Sequence, residues 1–180
     1  NGNEKKYLIK ATSGTSGTPL SFRKSVVAER YDYAIRDYIW QKYSGKTFNQ
    51  LRVVYVAGHM IKDANCTKPP FCIENHLAKT LYCSSYHLSV INIPYYIASI
   101  KQYGADAIAG YPSSIYLLAN YINAQSISIH VPYIWLSSES IGLKGCEIER
   151  AFNGKIINVY GNTEGLGLAY GSIDQPLRLH

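Results

Sequence analysis

Charge is scarce in this chain: 17% of its 180 residues are Asp, Glu, Lys or Arg, low for a free-standing domain. It has no run of 18 apolar residues, so no transmembrane helix is predicted, and no basic-then-apolar leader opens it. Lys and Arg number 18 against 12 Asp and Glu, for a net charge of +6. Yet the basic residues (Lys5, Lys6, Arg23, Lys24, Lys101, Lys144 and Lys155) are scattered, not gathered into a stripe. That argues against nucleic acid as a partner and leaves a loose preference for anionic ligands. No Cys-x-x-Cys pair occurs among Cys66, Cys72, Cys83 and Cys146. The even count permits disulfides, but without a secretory leader reduced thiols in a cytoplasmic protein are expected. Cys72 and His76, like Cys83 and His87, are four apart, so each pair on a helix would share a face able to hold zinc. Leu81 to Cys83, however, reads as a strand end followed by Ser84-Ser85, which favours thiols without a metal. No Ser-His-Asp or Cys-His arrangement stands out, and His59 and His87 are open to a site role or to simple packing.

What the chain does have is apolar and aromatic. Hydrophobic residues make up 47%, enough for one globular unit, and there are 17 tyrosines, whose polar tips suit partly exposed or inter-domain surfaces. Leu20 to Arg23 reads as a short strand. Ser25 is a helix cap, Val27 to Ile39 recur at helical spacing and Gly45 ends that helix. Leu51–Ala57 is a buried strand and 58–71 a loop. Asn75–Lys79 is read as a short helix before a strand near Leu81. Pro94 and Pro112 open further helices, the first ending at Gly104, and Ala105–Ala109 is a strand between them. Tyr133–Leu136, Lys155–Tyr160 and Leu166–Tyr170 are strands, with a helix over Leu143–Phe152. Strands alternating with helices predict an α/β fold with a mostly parallel sheet. In such sheets ligands gather at the strand ends, here at Gly58, Gly110, Ser137 and Gly161.

Two segments are unusual. Thr12 to Leu20 reads Thr-Ser-Gly-Thr-Ser-Gly-Thr-Pro-Leu. Its small hydroxylic residues cannot build a core, but they allow close backbone approach to an anion. It is neither a Walker A loop nor a dinucleotide fingerprint, and taken alone it reads equally as a flexible linker. Tyr160-Gly161-Asn162-Thr163-Glu164 ends a strand, where a carboxylate can hold Mg²⁺ and a flat ring can meet a base; a simple turn is the alternative. Ser137-Ser138-Glu139 also follows a strand, and Glu139 suits a ligand contact, an exposed position or a helix cap. Gly110 to Ser114 is a strand-to-helix turn.

The order of these four segments resembles the adenylate-forming superfamily of acyl-CoA synthetases and adenylation domains. Within it, the chain resembles the phenylacetate–coenzyme A ligase branch, including relatives encoded with capsular polysaccharide synthesis genes. The resemblance implies that Thr12, Ser13, Gly14, Thr15, Ser16 and Gly17 hold the β- and γ-phosphates of ATP. It implies that Tyr160 stacks near adenine beside Gly161 and Asn162, that Thr163 meets the α-phosphate, and that Glu164 binds Mg²⁺. Ser138 and Glu139 would border adenine and ribose, and Tyr111 and Pro112 would lie toward the acyl pocket. Thr163 and Glu164 are then the catalytic pair. The implied substrates are a small carboxylic acid, ATP and coenzyme A, and pairing in the branch makes a homodimer an expectation. Leu20 stands where many members of the superfamily have Lys. The start at Asn1 without a methionine and the end at His180 lead to the expectation of one unit over 1–180. It would be a central piece of an adenylation (AMP-binding) domain, with the preceding segment and a C-terminal domain missing. The rival readings are a non-catalytic nucleotide-binding or assembly module that keeps the fold, and a zinc-stabilised structural piece.

Overall fold

The computed structural model describes residues 6–11, 20–162, 165 and 167–179. Two strands, β1 (Tyr7–Ala11) and β2 (Ser21–Ser25), form an antiparallel ribbon. Helix α1 (Val26–Ser44) follows directly. Ser25 Oγ accepts the Ala28 N–H at 3.1 Å, and Gly45 closes the helix with φ of 70°, as its cap position predicts.

Eight strands make the main sheet. After β3 (Val53–Ala57) come β4 (Cys72–Asn75), β5 (Thr80–Ser84), β6 (Ala107–Gly110), β7 (Tyr133–Ser137), β8 (Lys155–Gly161), β9 (Leu168–Gly171) and β10 (Arg178–Leu179). The order across the sheet is β10-β9-β8-β7-β6-β3-β5-β4. From β5 to β8 every pairing is parallel, and both margins are antiparallel. The predicted α/β class and mostly parallel sheet are therefore observed. Helices α2 (Ile93–Tyr103), α3 (Pro112–Ala124) and α4 (Gly145–Phe152) are the crossovers.

Strand alternation sorts the core into two layers. Val54, Val56, Ile108, Ile134, Leu136 and Ile156 face α2, α3 and α4. Val53, Ala107, Ala109, Trp135, Ile157 and Val159 face the other way, toward Ile39 and Trp40 of α1. Those two are the only buried residues of α1, so its N-terminal half does not close onto the sheet. Small Ala107 and Ala109 leave room beneath it.

Two expectations are corrected. The helix expected over Asn75–Lys79 is absent: Asn75 ends β4 and residues 76–79 are the hairpin turn to β5. Asn75 Oδ1 accepts the Ala78 N–H at 3.1 Å, and Lys79 takes the left-handed conformation with φ of 48°. That turn sets Cys72 directly opposite Cys83, and the two form a disulfide, so neither is the reduced thiol expected. The zinc pairs fail for the same reason, since both cysteines are consumed and no helix carries them. His87 is buried by packing: its Nε2 donates to the Asp63 carbonyl and its Nδ1 shares a hydrogen bond with Ser84 Oγ, each at 2.9 Å, and its ring stacks on Phe71. Strands β1, β4 and β10 were not predicted.

Candidate nucleotide and acid site

The carboxyl ends of the parallel strands open into two adjoining cavities under α1. The larger, about 800 Å³, has aromatic walls. Trp40 and Trp135, the two tryptophans of the chain, stack with centroids 4.8 Å apart. Tyr55 and Tyr82 stack at 6.0 Å, with the His59 ring 4.7 Å from Tyr82. Gly110, Tyr111 and Ser137 complete the wall. Desolvation lowers the His59 pKa, which keeps its imidazole neutral near pH 7. Burial pushes the Tyr55 phenol up to about 12, so its hydroxyl keeps its proton.

The smaller cavity, about 400 Å³, is polar and lined by Lys10, Lys24, Glu29, Asp32, Ser138, Gly161 and Asn162, among others. Tyr33, Arg36, Tyr55 and Ser137 line both cavities. Lys24 is 5% exposed and pairs with Asp32, and with Glu29 at 3.1 Å; Lys10 reaches Glu29 at 2.7 Å. Burial by itself would depress the Lys24 ammonium, but the hydrogen bonds and charges of Asp32 and Glu29 outweigh it and raise the pKa. The hydrogen bond from Lys10, joined by Lys24, holds the Glu29 carboxyl below its ordinary 4.5 against the opposing effect of burial. These pairs tie the β1–β2 ribbon to α1.

A pH dependence follows. A depressed carboxyl stabilises the fold fully above its unfolded value near 4.5, and this contribution is lost as pH falls through the folded value. The stability difference between wild type and Glu29→Gln is therefore expected to be largest near pH 6 and to shrink below pH 4.5. Urea unfolding from pH 6 to pH 3 measures it; a difference that stays constant would exclude Glu29 as the titrating group.

Of the residues singled out in the sequence, 12–17, Thr163 and Glu164 lie outside the described residues. The rest divide. Gly161, Asn162 and Ser138 line the polar cavity, and Tyr160 presents a ring 71% exposed at the end of β8. Asn162 Oδ1 accepts the Gly165 N–H at 3.0 Å. Ser138 is left-handed, with φ of 75°, rare for a non-glycine residue. Glu139 caps a helix, though not the one that follows it: its carboxylate accepts the Ser113 N–H at 2.9 Å and the Ser113 hydroxyl at 3.0 Å, where the α3 dipole favours negative charge. Gly58 lines neither cavity, whereas Gly110, Ser137 and Gly161 do. Sequence reasoning missed Tyr33, Arg36 and Trp40, because a helical stripe reads as core wherever it points. It also missed Tyr55, hidden in a run of valines.

The described residues suit a nucleotide: the polar cavity is lined by hydroxyl-bearing Tyr33, Tyr55, Ser137 and Ser138 and carries three cations against two carboxylates. They do not themselves make a metal centre, since no group of three His, Cys, Asp or Glu side chains gathers among them. No described helix is long and apolar enough to cross a membrane.

No protein-family model matches the chain. It is 28% identical over 166 residues to Protein CapK of Staphylococcus aureus, covering 90% of this chain and 36% of CapK. A 2-hydroxyisobutyryl-CoA ligase solved with 2-HIB-AMP and CoA superposes with a TM-score of 0.59 at 14% identity, over 96% of this chain and 40% of the ligase. The O-succinylbenzoate coenzyme A synthetase of Bacillus subtilis, solved with ATP and magnesium, gives 0.53 at 16% identity, over 92% and 32%. The chain thus spans about a third to two fifths of the length of these proteins. Over that span it has the fold of the adenylate-forming acyl-CoA synthetases.

Proposed function

We propose that this chain is the nucleotide- and acid-binding portion of an ATP- and Mg²⁺-dependent carboxylate-activating ligase. The observation that carries the reading is the pair of adjoining cavities, one aromatic and one polar, at the carboxyl ends of parallel strands. An organic acid rests its body among Trp40, Trp135, Tyr55 and Tyr82. The triphosphate lies across the polar cavity, bounded by Ser138, Gly161 and Asn162, with adenine against Tyr160; the resemblance assigns its β- and γ-phosphates to Thr12–Gly17. Mg²⁺, held by Glu164, would supply charge neutralisation on the phosphates.

In the first step a carboxylate oxygen bonds to the α-phosphorus while the bond from that phosphorus to the bridging oxygen breaks, and pyrophosphate leaves with the electron pair. In the second, a thiol sulfur, that of coenzyme A, bonds to the acyl carbon; its proton is released and AMP leaves. Neither step needs a protein nucleophile. The residues contribute positioning and electrostatic stabilisation.

The test is ATP–pyrophosphate exchange by the full-length protein with a panel of aryl, short-chain and sugar acids. Acid-dependent exchange is expected in wild type, and Glu164→Ala should lower it by at least about 100-fold, the scale of losing one transition-state electrostatic contact. Exchange unchanged in the variant would remove Glu164 from the metal site. Binding of Mg·ATP without exchange for any acid would favour a non-catalytic nucleotide-binding role.

A further inference from the structure

The charges around the two cavities can be accounted for one by one. Glu29 and Asp32 are taken by Lys10 and Lys24. Asp37 Oδ1 accepts the Phe48 N–H at 2.7 Å, and Asp37 Oδ2 accepts from Gln41 Nε2 at 3.1 Å. Arg36 is the exception: it has no carboxylate partner among the described residues, and it lines both cavities. Tyr33, Tyr55 and Ser137, each with a hydroxyl, line both cavities with it. A guanidinium without a carboxylate partner, sharing the junction of an aromatic and a polar cavity with hydroxyl-bearing side chains, suits a planar anion carried on an apolar body.

We propose that Arg36 anchors the carboxylate of the acid whose body fills the aromatic cavity, and so fixes the point at which that carboxylate meets the nucleotide. The assignment rests on the proposed ligase reading for its reaction, but as a binding site it stands by itself. Tyr55, protonated across the physiological range, donates the second hydrogen bond. The position on α1 makes the anchor independent of the strand-end loops. The expected substrate class is a monocarboxylic acid with a flat or ring-shaped body, aromatic or sugar, which the stacked tryptophans and tyrosines can cover.

The experiment compares the full-length protein with Arg36→Met and Arg36→Lys. Phenylacetate and glucuronate are each titrated against their neutral carboxamides by calorimetry, and Mg·ATP is titrated separately. Wild type should bind at least one carboxylate more tightly than its amide, by roughly 10- to 100-fold, the range of a charge-assisted hydrogen bond. Arg36→Met should reduce that ratio to near one while leaving the amide affinity within about twofold, and Arg36→Lys should restore part of the ratio. Because Arg36 is exposed, neither substitution disturbs the core. A ratio unchanged in Arg36→Met, or a wild type that distinguishes neither acid from its amide, overturns the assignment. Loss of Mg·ATP binding and exchange in wild type, with the carboxylate preference still dependent on Arg36, would instead overturn the ligase reading and leave the anchor in place.

Discussion

Gly110→Ala is expected to destabilise the protein by about 3 kcal/mol, the upper range for overpacking a closed site, and to lower the folding equilibrium constant by roughly a hundredfold. A Cβ at this position would run into the carbonyl oxygen of Val56 and approach Ile115 Cδ1 to 3.3 Å. Backbone is the harder obstacle. Gly110 lies at the end of β6, in register with Val56 of β3 on one side and Leu136 of β7 on the other, so neither neighbour can yield without breaking a parallel ladder. Gly110 also forms part of the aromatic cavity wall, so partial relief by displacing β6 would reshape that cavity. Gly167→Ala is the control: no described residue lies within 4 Å of its added methyl, and its effect should stay within about 0.5 kcal/mol. Urea unfolding of both variants decides the matter. Equal midpoints would mean that β6 shifts more freely than its two-sided pairing implies.

Lys24→Met comes second, with an expected loss of about 3 kcal/mol, the lower end for removing one partner of a buried ion pair. The lower end applies because Glu29 and Asp32 keep 15% and 20% of their side-chain surface exposed, and because Glu29 retains Lys10. Asp32 bears the loss, left facing the cavity with no cation. If that orphaned charge is the cause, Lys24→Met combined with Asp32→Leu should recover most of the stability, since two apolar partners carry no desolvation penalty. A double variant no more stable than the single one would point to lost packing of the lysine stem instead. The same substitution bears on the site. A Cβ on Gly165 would come within 2.8 Å of Asp32 Oδ2 and 2.9 Å of Lys24 Nζ, so Gly165 rests directly on this ion pair. On the proposed reading Lys24→Met is therefore expected to weaken Mg·ATP binding as well as stability, whereas Gly110→Ala acts on the aromatic cavity.

Local chemistry made much of the fold legible in the sequence. Ser25, Gly45, Gly104, Pro94 and Pro112 mark helix ends because caps depend on residues adjacent in the chain, and the structure keeps all of them at helix boundaries. The parallel strands were visible as short apolar runs, because strands covered on both faces need no polar alternation. Failures came where the decisive partner was distant. Asn75 to Lys79 has the composition of a helical turn, and only the pairing of β4 with β5 makes it a hairpin. Tyr7 to Ala11 is nearly all exposed, so no burial pattern marks it; its partner β2 defines it.

The sequence by itself determined the class of sheet and the position of the loops at its carboxyl edge. Through its ordered motifs, it also determined the resemblance to adenylate-forming enzymes. All of these rest on residues close together in the chain. Only the tertiary structure decided that Cys72 faces Cys83, that Glu139 caps a helix 26 residues upstream, and that Lys10 and Lys24 share Glu29. The physical reason is the same in each case. A side chain's partner is chosen by which elements the sheet order brings side by side, and that order follows from burying two faces of the sheet at once. The two cavities belong to this second kind of fact: they exist because α1 buries only Ile39 and Trp40 against one face, over strands whose alanines and glycine leave the space unfilled.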